Sequence, residues 1–97
     1  MMSYDEVRKQ PRADVALMNV YSYMALHPFT VIQKIENEPM EKVFCIRVFY
    51  RDCRSGKSPI VSFNFYRSTE AQEADRFINA ICDEFRISAT GAPSFNL

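Results

Sequence analysis

Several common signatures of chemistry are missing from this chain. No apolar stretch approaches the roughly 18 residues that a membrane-crossing helix needs. The opening MMSYDEVRKQPRAD is charged where a secretory leader would carry an apolar run, so no leader is expected. There is one histidine, His27, and the three cysteines, Cys45, Cys53 and Cys82, form no CxxC pair, so no usual zinc quartet can be assembled. An odd cysteine count without paired spacing points instead to reduced thiols and a cytoplasmic protein. Neither an internal repeat nor a low-complexity tract interrupts the 97 residues, a length that suits one domain with one core.

The nearest approach to a catalytic or ligand signature is RDCRSGKS at residues 51–58, which ends like a phosphate-binding loop. A loop of that type needs a glycine five positions before Gly56, and Arg51 stands there; after Ser58 the chain meets Pro59 and a β-rich segment, not a helix. The stretch therefore reads as a hairpin turn in which Gly56 supplies a positive φ. His27 lies at a helix end before Pro28, where capping or surface exposure is the expected role. Cys45 lies near Arg47 but has no histidine to act as its base, and Cys53, between Arg51 and Arg54, is the more reactive candidate thiol. Glu36, Glu38 and Glu41 match no calcium loop and read as a solvated acidic turn around Pro39. No enzyme, cofactor or metal site is expected.

What is present is an aromatic-rich globular composition with an uneven charge. Apolar residues make up 47% and charged ones 25%, so the chain can bury a core. The net charge of zero divides into −2 over residues 1–41, +5 over residues 42–67 and −3 over residues 68–97. The periodicity gives helix, three strands, helix, with a flexible arm over residues 1–12, a single α+β domain over 13–87 and a flexible tail over 88–97. Leu17, Met18, Tyr21, Met24 and Ala25 make a helical stripe over about residues 13–26. PFTVIQKIE, KVFCIRVFY and PIVSFNFYR read as three strands of an antiparallel meander. Ala71, Ala74, Phe77, Ile78, Ile81, Cys82 and Phe85 make the sharpest stripe, a helix over about residues 69–87 with Ser68 or Thr69 as N-cap and Thr69–Gln72 as capping box.

Strand register follows from alternation. Placing Tyr50 opposite Pro59 sets Val48 against Val61, Ile46 against Phe63 and Phe44 against Phe65, one apolar face that a one-residue slip would destroy. The same alternation puts Phe29, Val31 and Ile35 on that face, with Gln33 as a misfit. Thr30, Ile32, Lys34, Val43, Cys45, Arg47, Phe49, Ile60, Ser62, Asn64 and Tyr66 fall on the other. The element order resembles that of double-stranded-RNA-binding domains. They carry a lysine run at the start of the last helix where this chain has STEAQEAD, so no residue role is transferred.

The expected function is therefore a contact surface: a small protein-binding module, adaptor or inhibitor that masks a partner with an acidic surface, a class that includes regulators encoded by viruses or mobile elements. Its expected residues are Lys34, Arg47, Phe49, Arg51, Arg54, Lys57, Tyr66 and Arg67, bases beside aromatic rings as found at interface hot spots. The alternative is a weak single-stranded nucleic-acid binder using the same face for stacking and phosphate neutralisation. Self-association through that face or through the edge strand Phe29–Glu36 is a further expectation. If the first helix packed over the face instead, its apolar residues would be core.

Overall fold

The β-branched and aromatic segments pair as the alternation requires. A computed structural model describes residues 11–91, within which the elements are α1 (Arg12–Leu26), β1 (Thr30–Pro39), β2 (Val43–Asp52), β3 (Ile60–Tyr66), α2 (Ala71–Phe85) and the short β4 (Ala89–Gly91). Residues 1–10 of the expected arm and 92–97 of the expected tail lie outside the described residues. The protein is thus an α+β fold with the expected helix, three antiparallel strands and helix. β2 and β3 pair with Val48 opposite Val61, Ile46 opposite Phe63 and Phe44 opposite Phe65, the register that buries one continuous apolar row. The sheet order is β3-β2-β1-β4, because Ala89–Gly91 leave α2 and run parallel to Ile35–Asn37 of β1.

β1 departs from simple alternation at Gln33. Opposite β2, Ile32 pairs with Tyr50 and Lys34 with Phe49, so Gln33 is one extra residue, a β-bulge. The bulge reverses the inward and outward sense of everything before it. Thr30 and Ile32 are buried and Phe29 and Val31 exposed, against expectation, whereas Ile35 beyond the bulge is buried as expected. Without the extra residue, either Ile32 or Ile35 would have to leave the core; with it both are kept there.

Both helices lie on this apolar face. α2 buries Ala74, Phe77, Ile78 and Ile81, and the Phe77 ring sits 5.1 Å from Phe63 and 5.6 Å from Phe65. α1 packs beside α2 over the β3 side, with the Tyr23 ring stacked 4.3 Å from Tyr50 and the Arg12 guanidinium 5.1 Å over Phe65. Burial pushes the Tyr50 hydroxyl up to about 12, with Tyr23 adding to the effect, so Tyr50 stays neutral inside the core. The buried stripe of α1 is Ala13, Ala16 and Val20, while Met18, Tyr21 and Ala25 of the expected stripe are exposed. Small side chains let the two helices approach closely, which decides which side of α1 turns inward. Charged groups fasten the approach: Ala13 N–H donates to Glu73 Oε1 at 3.0 Å, and Arg76 bridges Asp14 and Glu73.

The ends of α2 also differ from expectation. It begins at Ala71 with Glu70 as cap residue, and neither Ser68 nor Thr69 caps it. Glu70 is occupied in the turn, where its N–H donates to the Tyr66 carbonyl and its carboxylate accepts the Tyr66 N–H, both at 2.8 Å. At the other end Arg86 adopts a left-handed conformation, φ 54°, and stops the helix.

Phe77 is fully buried and joins α2 to Phe63 and Phe65 of β3, so Phe77→Ala is expected to lower stability in a denaturant titration by about 3–5 kcal/mol. A loss below about 1 kcal/mol would contradict the packing described here.

Candidate functional site

Because α1 and α2 share one face, no described element covers the other. Its rows follow from pairing: Val31 opposite Arg51, Lys34 opposite Phe49, and Glu36 opposite Arg47, continued across β2 by Phe49 opposite Ile60, Arg47 opposite Ser62 and Val43 opposite Tyr66. The expected Lys34, Arg47, Phe49, Ile60 and Tyr66 all lie here, whereas Thr30 and Ile32 do not, since the bulge turns them into the core.

The centre of this face is less basic than its sequence segment. Arg47 pairs with Glu38 at 2.7 Å and with Glu36 at 3.5 Å; Lys34 lies 3.7 Å from Glu36 and 4.4 Å from the centroid of the Phe49 ring. The Glu38 hydrogen bond, with Cys45 and Glu36 adding, raises the Arg47 pKa further. By sequence, Glu36 closes the expected strand and groups with Glu38 as a solvated acidic turn. β1 in fact runs on to Pro39, and two residues apart on a strand means the same face.

Unbalanced positive charge gathers at one end, in the β2–β3 connection. There Asp52 Oδ1 accepts the N–H of Arg54 at 2.8 Å and of Ser55 at 3.0 Å, and the Asp52 carbonyl accepts the Gly56 N–H at 2.8 Å. Asp52 N–H donates to the Lys57 carbonyl, Cys53 N–H to the Phe29 carbonyl, and Lys57 N–H to Ser55 Oγ. Every N–H from Asp52 to Lys57 is therefore spent inside the protein, and none is left to cradle a phosphate. Gly56 takes φ 76°, as the turn reading requires. Arg51, Arg54 and Lys57 project from this rigid lip, and the Arg54 guanidinium sits 4.6 Å over the Phe29 ring.

The structure does not bring all eight expected residues together. Arg67 is at the opposite end, where its Nη1 donates to the Met40 carbonyl at 2.8 Å and its guanidinium covers Phe44 at 5.0 Å. It braces the β1–β2 turn. Tyr66 is exposed near that same end, so the face consists of a neutralised centre, a basic lip and a distant tyrosine. Sequence reading missed Phe29 and Val31 as surface groups, and the available signal was Gln33, the polar residue out of step.

The remaining nucleophiles are scattered. Cys45 is buried beneath the face, Cys53 is exposed on the lip, and Cys82 is half-buried in α2, its thiol pushed up by burial and then by Asp83. His27 caps α1: its N–H donates to the Tyr23 and Met24 carbonyls, and its Nδ1 donates to Tyr23. Among the described residues no group of three or more His, Cys, Asp or Glu is placed to hold a metal ion, and no helix is long and apolar enough to cross a membrane. No protein-family model, curated protein or solved structure matches the chain.

The Asp52 turn carries a pH dependence. The N–H groups of Ser55 and then Arg54 hold its carboxyl below the ordinary 3.8, so its contribution to stability is present above that value and lost as pH falls through the depressed one. Asp52→Ala is expected to lower the melting temperature at neutral pH, with the difference from the parent shrinking in acid. A difference unchanged from neutral to strongly acidic pH would contradict this role.

Proposed function

We propose that this protein is a small non-catalytic binding module that uses its open sheet face to cover the surface of a partner protein, as an adaptor or an inhibitor. The observation that carries the reading is the one-sided packing. Phe49, Ile60, Val31 and Tyr66 lie on an uncovered face among charged side chains, the composition of an interface centre with a polar surround. Arg51, Arg54 and Lys57 add a positive lip at one end, which suits a partner whose facing surface is acidic. The free thiols Cys45, Cys53 and Cys82 fit a reducing compartment, the cytoplasm.

Charge weighs against the nucleic-acid alternative. Binding to a phosphate backbone scales with the number of cations free to neutralise it. Lys34 and Arg47 already face Glu36 and Glu38, and Arg67 is turned into the β1–β2 turn, so only the three bases of the lip remain of the expected set.

The test is affinity capture by the tagged full chain from its native cells, in parallel with Phe49→Ala, Arg47→Ala and Tyr66→Ala. One protein, held in defined stoichiometry after nuclease treatment, is expected to lose about thirtyfold in affinity with Phe49→Ala, the scale of a 2 kcal/mol hot spot. Capture that ignores all three substitutions would refute the reading, as would salt-dependent binding of a single-stranded oligonucleotide abolished by them.

A further inference from the structure

We infer that the end of the molecule bearing the lip docks on an anionic lipid surface, so that the binding module works at a membrane face. This goes beyond the protein-binding reading; it shares the lip and the margin of the sheet face, Val31 and Ile60, with that reading and adds Leu26 and Phe29. The Cys53 N–H to Phe29 carbonyl bond, 2.8 Å, staples the α1–β1 loop to the β2–β3 connection and brings two sets of side chains to one end. The first is apolar and projects into solvent: Leu26 is 77% exposed, Ile60 53%, Phe29 51% and Val31 46%. The second is Arg51, Arg54 and Lys57, opposed by a single carboxylate, Asp52, that is already committed to the turn.

Two features favour a lipid layer over a protein at this end. The apolar groups come from separate elements, the end of α1, the following loop and the margins of β1 and β3, and they project among cations. Grooves of about 400 to 420 Å³ open elsewhere, two along the α1–β3 side past Arg12 and one at Lys42, Tyr66 and Arg67. The lip also offers charge without an anion cradle, since its backbone N–H groups are spent. A diffuse positive field with projecting apolar side chains suits a fluid layer of headgroups, where each base adds attraction and each apolar group enters the acyl boundary. Three bases and four apolar side chains give weak, reversible binding that salt screens.

The test is co-sedimentation of the full chain with phosphatidylcholine vesicles containing phosphatidylserine, against phosphatidylcholine alone. Pelleting is expected on the anionic vesicles at low salt, with release at high salt. Charge reversal by Arg51→Glu with Arg54→Glu is expected to cut it by roughly tenfold. Leu26→Ser with Phe29→Ser should cut it several-fold, while Met40→Ser, an exposed apolar change at the opposite end, should leave it unchanged; circular dichroism confirms that each variant is folded. Pelleting no greater on anionic than on neutral vesicles would overturn the proposal, as would pelleting that both double variants leave intact. Should the tip variants instead lose a protein partner while vesicles never bind, the tip belongs to the protein interface and the proposal falls. Phe49→Ala is expected to spare vesicle binding, so failure here is separable from failure of the sheet-face reading.

Discussion

The arrangement depends on one residue out of step in β1. A strand presents its side chains to two faces in strict alternation, and on the core face of β2 Val48 is paired with Ile35 and Tyr50 with Ile32. Ile32 and Ile35 are three positions apart and cannot share a face on a regular strand. The extra residue at Gln33 lets them do so, completing the floor on which α2 lays Phe77 and Ile81. The same shift turns Phe29 and Val31 outward beside Arg54 and Arg51, so the bulge that completes the core also creates the apolar part of the exposed end.

The sheet is partly blunted at its edges and open on one face. Along β3, Arg12 donates to the Asn64 carbonyl and Glu70 accepts the Tyr66 N–H. Along β1, β4 takes Ile35–Asn37 and the bulge disturbs the stretch before them. Edges blunted in this way resist strand addition. On the open face the charges have been sorted: opposite signs neutralise each other at the centre, and the surplus is held where Asp52 rigidifies the connection. Summed charge over residues 42–67 therefore overstates how basic any one surface is.

Much of the fold was legible because it rests on strong periodicity. The β2–β3 register could be read from Val48, Ile46 and Phe44 against Val61, Phe63 and Phe65, since any slip costs the whole row. The long stripe of α2 was equally plain. What could not be read had competing solutions close in energy. α1 is apolar on more than one side, so its alanines became the inward stripe only once α2 was there to pack against. The turn before α2 was settled by Glu70 reaching back to Tyr66, beyond the reach of the Ser68 and Thr69 preference. Of the candidate site, Lys34, Arg47, Phe49, Ile60 and Tyr66 were placed on the right face by alternation alone. The Glu38 carboxylate that pairs with Arg47 was hidden by ending β1 too soon, and Phe29 and Val31 by carrying the alternation through Gln33.

One-sided packing with a bulge at Gln33 is tested most directly by methyl NMR of the full chain with a soluble paramagnetic probe. Strong relaxation of the Val31 and Ile60 methyls, with Ile32, Ile35 and Ile46 protected, is the predicted pattern. Protection of Val31 and Ile60 in the monomer, or exposure of Ile32 in place of Val31, would contradict it.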